Sequence, residues 1–367
     1  MNMTSRERIL AVFNGEEPDK IPVCTYEAFI RESPNWAKKL QKRGLGVIRH
    51  AAISKPASWL PIFWQPSSSR MDARYTMNSY SEKGIRKYRL TWETPIGSIT
   101  GVLASNPKDY SELVTSPTPA EYPVKNPSDW RVINYFIKDM LDNLEPNYKE
   151  FEEAEKDIGD NGVTVFYNHL TAWQSAWIFL AGPERAVIDF HEQKDEIQEF
   201  IELVKLWNSR MAEIAAGSPA KFIDIAENIT DMTSPTYYRK YCLPIYEIYS
   251  KQLKGTDKIL GAHMDGRLGK LKNEISESPL DVVESFSLPP TGDISLSEAK
   301  KIWPGKMLFM NTAPHMAWAK PEEVRKYYED IVNEWGGKKG LLLEFSELLP
   351  PETVEAHLSA AMDAFGY

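Results

Sequence analysis

The chain of 367 residues is poor in cysteine. It has only Cys24 and Cys242, which lie far apart and form no Cys-x-x-Cys pair. Two isolated thiols provide neither a disulfide framework nor a thiolate zinc cage. Any metal ion would therefore have to be bound by His, Asp, Glu or water.

An excess of positive charge and long apolar runs are also missing. The chain has 43 Lys and Arg against 52 Asp and Glu, a net charge of −9, so we expect no nucleic-acid partner and no membrane partner. Charges interrupt the first twenty residues, where a signal peptide needs an apolar core, and no run is long enough to cross a bilayer. The sequence predicts a soluble cytoplasmic protein and leaves a homodimer open.

What the chain does have is a regular alternation of short apolar segments and helical patterns. The apolar segments do not alternate with polar residues, which is typical of parallel strands buried on both faces. No Gly-x-Gly-x-x-Gly turn follows any of them, so a closed barrel is favoured over an open dinucleotide-binding sheet. The segments are "KIPVCTYEAF", "GVTVFYN", "KFIDIAEN", "KILGAHMDG", "LDVVESF", "GKMLFMN" and "KGLLLEFS".

The predicted fold is α/β, a (β/α)8 TIM barrel forming a single domain over residues 1–367. Residues 36–85 are rich in Trp, Pro and Ser and predict an N-terminal elaboration of loops and helices. The segment "KYRLTWETPIGSITGVLA" alternates around a turn and predicts a small inserted β-hairpin.

Polar residues that follow the predicted strands are the candidate site, because catalytic side chains of parallel barrels lie at the carboxyl ends of the strands. His50, His191 and His357 fall in helical patterns instead, and we expect them to be solvated or capping. For His169 and His315, substrate contact or a structural role is favoured over metal ligation. The candidate substrate contacts are Tyr26, Tyr167, His169, Asn228, Glu284 and His315.

The segment "HMDG" places His263 and Asp265 two residues apart after a strand, and Gly266 allows the backbone to bend so that both side chains face one point. His-x-Asp is a weak motif, and a strand-end histidine also commonly bonds a backbone carbonyl. Glu344 and Glu347 follow the last strand. Each is paired with a lysine, protonated or bound to a metal, because an isolated buried charge is costly. These alternatives stay open on spacing alone.

Several longer segments, in this order and spacing, resemble the uroporphyrinogen decarboxylase superfamily. They are "TSRERILAVFNGEEPDKIPV", "IDIAENITDMTSPTYYRKYCLPIYEIYSKQL", "GAHMDGRLGKL", "PPTGDISLSEAKKIWPGKMLFMN" and "GGKKGLLLEFSELLPPETVEAHLSAAMDA". The resemblance implies a (β/α)8 barrel and either a porphyrinogen decarboxylase or a corrinoid-dependent methyltransferase. The decarboxylases carry an Arg-Gln-Ala-Gly-Arg segment after the first strand, where this chain has "CTYEAFIRESPNW". A substrate with many carboxylates is therefore a poor fit.

The zinc methyltransferases of this superfamily bind their metal through a His-x-Cys pair and a later Cys. His263 matches the histidine, whereas Asp265 and Glu347 stand in place of the cysteines. The resemblance implies Zn(II) bound by His263, Asp265 and Glu347, with Glu344 in reserve, and these three as the catalytic residues. Oxygen ligands leave the ion a stronger Lewis acid, which suits the polarisation of an ether oxygen.

The expected function is transfer of a methyl group from a small methoxylated donor of the aromatic class to the Co(I) corrinoid of a partner protein. The chain has no cobalamin-binding Asp-x-His-x-x-Gly segment, so methylcobalamin would come with a corrinoid-binding protein. The alternatives are a metal-free decarboxylase-like lyase, a methylcobalamin:thiol methyltransferase and a non-catalytic binding barrel.

Overall fold

The computed structural model describes residues 2–30, 35–60, 72–105, 117–168, 170–347 and 349–367. Eight parallel strands close into a barrel, in the order β1-β14-β13-β12-β11-β10-β9-β2. This confirms the predicted (β/α)8 fold. The strands are β1 Val23–Tyr26, β2 Gly46–His50, β3 Ser54–Lys55, β4 Arg74–Glu82, β5 Ile85–Thr94, β6 Gly97–Ala104, β7 Thr118–Glu121, β8 Glu145–Pro146, β9 Gly162–Asn168, β10 Phe222–Ile225, β11 Ile259–His263, β12 Val282–Phe286, β13 Met307–Asn311 and β14 Leu341–Phe345.

Helices connect the barrel strands on the outside. Those at the N-terminal side and after β2 are α1 Ser5–Phe13, α2 Asn35–Arg43, α3 Trp130–Asp142 and α4 Lys149–Ile158. The remainder are α5 Ala172–Ser175, α6 Gly182–Glu192, α7 Asp195–Gly217, α8 Pro235–Tyr237, α9 Leu243–Leu253, α10 Lys272–Glu277, α11 Leu296–Ile302, α12 Pro321–Trp335 and α13 Val354–Ala364. Among the described ranges, no helix has both the length and the apolar character needed to cross a membrane.

The amino-terminal end of the barrel is closed by α1. A capping box starts this helix: the Thr4 side chain accepts a hydrogen bond from the backbone N–H of Glu7, and the Glu7 carboxylate accepts one from the Thr4 backbone. The helix directs Phe13 into the barrel, where its ring centroid lies 5.4 Å from that of Phe222 and 5.6 Å from that of Phe309. An apolar plug therefore fills the end of the barrel opposite the strand carboxyl ends.

Two expectations about the region after β1 were incomplete. Residues 36–85 contain a barrel strand, β2, as well as loops and helix. The pattern missed it because its sequence, "GVIRH", has only two large apolar residues before two basic ones. The predicted hairpin is β5–β6, but it belongs to a four-stranded antiparallel sheet with the order β4-β5-β6-β7.

This inserted sheet belongs to the connection that leaves the carboxyl end of β2. One face packs on α3 and contains the buried side chains of Leu90 and Trp92. Its first strand is anchored where the backbone N–H groups of Asp72 and Ala73 donate to the Asp139 carboxylate of α3.

Candidate active site at the carboxyl ends of the strands

Strand register brings ionisable side chains together at the carboxyl end of the barrel. In the β11–β12 pair His263 lies opposite Glu284, and in the β13–β14 pair Asn311 lies opposite Glu344. Tyr26 is the last residue of β1, which pairs with β14 and closes the ring through β2. Residues that are far apart in sequence therefore share one layer of the barrel.

Glu284 is the centre of this layer. Its side chain is almost fully buried, and both carboxylate oxygens are used. Oε2 lies 2.5 Å from Nδ1 of His263, and Oε1 accepts a hydrogen bond from the Tyr26 hydroxyl. The contact at Nδ1 fixes the orientation of the imidazole and leaves Nε2 as the nitrogen available to a ligand.

Charge strengthens the His263–Glu284 pair. Burial alone would lower the pKa of His263, but the charge and hydrogen bond of Glu284 outweigh it and raise that pKa to about 10. Burial likewise acts to raise the pKa of Glu284, and the histidine reverses the direction and lowers it. Without another cation present, the pair is an imidazolium bonded to a carboxylate.

Two further acids, Asp224 and Glu344, lie beside this pair. Burial and then the charge of Glu284 raise the pKa values of Asp224 and Glu344 well above the ordinary range. Both side chains are almost fully buried. Oδ1 of Asp224 and Oε2 of Glu344 are buried without a hydrogen-bond partner. Unsatisfied buried oxygens of this kind indicate a position for water, substrate or a cation.

Asp265 and Glu347 are half-buried at the outer edge of the cluster. Burial raises the pKa of each, the His263 charge acts in the opposite direction on both, and Asp265 raises the pKa of Glu347 further. Oδ1 of Asp265 is buried and has no partner. The three residues that were proposed as metal ligands therefore share one electrostatic environment.

An aromatic wall lines the side of the cluster formed by β1, β2 and β9. The His50 ring stacks on Tyr167 with centroids 4.7 Å apart and meets the Tyr26 ring edge-on at the same distance. Tyr167 in turn meets His263 edge-on at 6.4 Å. The prediction that His50 lies in a helical pattern was wrong, because His50 is the last residue of the barrel strand β2. The sequence did not indicate this because the apolar pattern of β2 is weak.

The cluster fits a metal ion in its donor chemistry. Both thiols of the chain are buried, and burial raises the pKa values of Cys24 and Cys242 well above normal, so neither is a thiolate. The remaining donors are carboxylates and the Nε2 atom of His263, which suit zinc. Within the described ranges, no three His, Cys, Asp or Glu side chains are close enough together to hold a metal ion. The unpartnered Oδ1 of Asp265 is the observation in favour of the fit.

The other predicted substrate contacts are His169, Asn228 and His315. His169 lies outside the described residues. Asn228 is exposed. His315 is also exposed, and its ring packs edge-on against Tyr327 of α12 at 5.4 Å. Contact of these three residues with a substrate stays a prediction.

A cavity of about 370 Å³ lies outside the barrel between α7 and α9. Its polar lining consists of two glutamines, two lysines, one glutamate and the hydroxyl of Tyr241. It lacks the combination of imidazole and buried acids found at the barrel mouth. The chemistry of the side chains, and not cavity volume, therefore identifies the candidate site.

Comparison with known proteins identifies the family and the fold of the chain. A family model described as uroporphyrinogen decarboxylase (URO-D) matches residues 109–366, which include six of the eight barrel strands. No curated protein sequence gives a significant match. Among solved structures, a methyltransferase from Methanosarcina mazei has a TM-score of 0.58 and 12% sequence identity, covering 99% of this chain and 98% of that one. At this identity the likeness shows a shared fold.

Proposed function

Because the chain belongs to the uroporphyrinogen decarboxylase family, we propose that it is a methyltransferase that moves a methyl group from a methoxylated aromatic donor to the Co(I) corrinoid of a partner protein. The observation that carries the proposal is the acidic, thiolate-free cluster centred on His263 and Glu284. The shared fold with an archaeal methyltransferase supports the same class of reaction.

The proposed metal ligands are His263 through Nε2, Asp265 and Glu347, with Glu344 in reserve. Zinc bound there supplies Lewis acidity that polarises the oxygen from which the methyl group departs. Glu284 holds the His263 ring in place through Nδ1, as the carboxylate partners of metal-binding histidines do.

The remaining residues of the cluster orient the donor and control water. The rings of Tyr26, His50 and Tyr167 offer a flat apolar wall for the aromatic ring of the donor. Burial raises the pKa values of both tyrosine hydroxyls far above neutral, so both stay protonated. The Tyr26 hydroxyl already donates its proton to Glu284, so Tyr167 is the phenol proposed to donate a hydrogen bond to an oxygen of the donor.

Metal content tests the ligand set. We expect the purified protein to contain up to one zinc per chain and His263→Ala to lose it. His191→Ala is the matched control, because His191 is exposed on α6 and should leave the metal in place. Full metal content in the His263→Ala protein would exclude this ligand set.

Donor turnover tests the reaction. With a reduced corrinoid protein, a panel of methoxylated aromatics followed by methanol and methylamines should consume the Co(I) absorbance, and aryl methyl ethers should react fastest. Replacing Asp265 and Glu347 together by cysteine should retain zinc and slow ether cleavage roughly a hundredfold, because thiolates weaken the Lewis acid. Faster transfer from methylcobalamin to a thiol than from any donor would instead favour a methylcobalamin:thiol methyltransferase.

The charged state of His263 favours a second candidate, a metal-free lyase. With a pKa raised to about 10, an imidazolium bonded to Glu284 could donate a proton to the carbanion left by decarboxylation. This candidate predicts activity in protein stripped of metal by a chelator. The methyltransferase predicts that the same treatment abolishes turnover and that added zinc restores it.

A further inference from the structure

The two edge strands of the inserted sheet differ in how they are protected. β7 has four residues and includes Pro119, which cannot donate a backbone hydrogen bond. β4 has nine residues with neither proline nor lysine, and most of its side chains are exposed. Within the described ranges, only β5 pairs with it. A long edge strand without such protection is a template for pairing with another strand.

The turn between β4 and β5 shows which backbone groups face this free edge. Lys83 and Gly84 both have positive φ, which is typical of a two-residue type I′ hairpin, and Glu82 lies opposite Ile85. Residues that flank such a turn exchange both backbone hydrogen bonds, and the pattern then alternates along the strand. The N–H and C=O groups that face outward therefore belong to Tyr75, Met77, Ser79 and Ser81.

We propose that β4 pairs in antiparallel fashion with β4 of a second copy of this chain, about a two-fold axis at Asn78. The two inserted sheets then form one sheet of twice the width. A two-fold axis that passes through a residue position places the outward-facing backbone groups of the two strands opposite one another. An axis midway between two residues would instead place them opposite inward-facing groups. With the axis at Asn78, Met77 faces Ser79 of the second copy. The position at Asn78 is the one that uses the full length of the strand.

The side chains of β4 complement one another in this register. Arg74 and Glu82 lie at opposite ends of the strand, each four residues from Asn78. Pairing brings each arginine opposite a glutamate of the other copy, where it joins the ion pair that Glu82 forms with Lys87 of β5. Met77 is 45% exposed and lies opposite the buried Leu90 in the β4–β5 pair. In the dimer the two Met77 side chains become diagonal neighbours on the same face and extend the apolar surface across the junction.

Solution mass tests the association. The wild-type protein should have twice the 41.9 kDa mass of one chain at micromolar concentration. Ser79→Pro removes an outward N–H and leaves the hydrogen bonds to β5 intact, so it should shift the mass to that of one chain. Arg74→Glu should weaken the dimer about tenfold or more, because it places two like charges together at both ends. Circular dichroism checks that each variant is folded.

Disulfide trapping tests the register. Asn78→Cys places two cysteines at the axis as a non-hydrogen-bonded pair, with Cα atoms about 4.5 Å apart, which a disulfide can bridge. Thr76→Cys is the matched control: it lies on the same face and is also exposed, but its two copies would be about 13 Å apart. The native cysteines are buried and do not compete.

The expected result is rapid oxidation of the Asn78→Cys protein to a covalent dimer and little dimer from Thr76→Cys. Equal cross-linking of the two variants would overturn the proposal, as would a wild-type protein that is monomeric throughout. A dimer that survives both Ser79→Pro and Arg74→Glu would also overturn it, since another surface would then join the copies. The proposal concerns the insertion alone and does not depend on the methyltransferase reaction.

Discussion

The two ends of the barrel are built from opposite kinds of residue. At the amino-terminal end, Phe13, Phe222 and Phe309 form a triangle of rings with centroids 5.3 to 5.6 Å apart. At the carboxyl end, the barrel strands carry imidazole, phenol and carboxyl groups, and several carboxyl oxygens there are buried without a hydrogen-bond partner. β10, for example, begins at Phe222 in the plug and carries Asp224 two residues later.

This difference separates stability from function along the barrel axis. Buried aromatic surface at the amino-terminal end stabilises the fold, whereas buried acids at the carboxyl end cost free energy that only a ligand or a shared proton can offset. A barrel can retain such a site because the apolar end and the surrounding helices compensate for it. Substitutions at the two ends should therefore have different readouts.

The largest effect on stability is expected at the plug. Phe309 is fully buried, so Phe309→Ala leaves a cavity between Phe13 and Phe222 and should lower the free energy of unfolding by about 3–5 kcal/mol. Urea unfolding measures this change. Metal content and kcat/KM of the folded protein should change less than about threefold, because the plug touches none of the proposed ligands.

Tyr167→Phe is the counterpart at the other end. It keeps the ring and removes a hydroxyl, so the free energy of unfolding should change by less than about 1 kcal/mol while donor KM rises.

If Phe309→Ala does not fold, Phe309→Leu supplies the same comparison with a smaller cavity. Loss of metal from a folded plug variant would show that the two ends are coupled.

A smaller effect is expected when the support of the proposed metal ligand is weakened. Glu284→Gln keeps the shape of the side chain but removes the charge that holds Nδ1 of His263. Metal affinity, measured by competition with a chelator, should fall roughly 10- to 100-fold, as it does when such supporting carboxylates are changed. Unfolding free energy should change less than in the plug variant.

Glu344→Gln is the matched control for this experiment. Glu344 is equally buried on the neighbouring side, and burial together with the charge of Glu284 raises its pKa, so the substitution replaces one neutral group by another. Metal affinity should stay within about threefold. A loss as large as that in Glu284→Gln would instead assign Glu344, and not Glu347, as a ligand.

The barrel itself was predictable from the sequence because strands buried on both faces have short, continuous apolar sequences. The position of His263, Glu284 and Glu344 at one rim followed from the rule that strand carboxyl ends converge. The sequence could not reveal which oxygen contacts which nitrogen. Nothing in the spacing of His263 and Glu284 indicates the contact at Nδ1, since it arises from the lateral register of two strands.

The position of His50 and the full extent of the inserted sheet could not be predicted from the sequence pattern. β2 has few apolar residues, so the strand and the histidine at its end were hidden among basic residues. β4 has an amphipathic pattern too weak to predict, because both of its faces are largely exposed. Its existence depends on pairing with β5, a tertiary contact that local propensity does not encode.

The last prediction concerns how stability at the carboxyl end depends on pH. Glu227 allows this to be measured separately from metal binding, because Glu227 is buried beside β10 away from the proposed ligands. Its carboxylate accepts hydrogen bonds from the backbone N–H and the hydroxyl of Thr171, at 3.2 and 3.3 Å. Burial nevertheless raises its pKa from 4.5 to about 8. The native state therefore holds a proton that the unfolded chain releases, from about pH 5 to about pH 8, and the free energy of unfolding falls as pH rises through this window.

Glu227→Gln should reduce this fall, because the amide cannot ionise while its carbonyl oxygen still accepts from Thr171. The difference between the two proteins should change by at most about 1.4 kcal/mol per pH unit, the value for one proton. Urea unfolding across the window measures it. Glu247→Gln is the control: Glu247 is exposed on α9, so its substitution should leave the slope as in the wild type. If both variants keep the wild-type slope, the pH dependence arises from the acids around Glu284 instead. The free-energy cost of burying acids at the carboxyl end would then come from the candidate site alone.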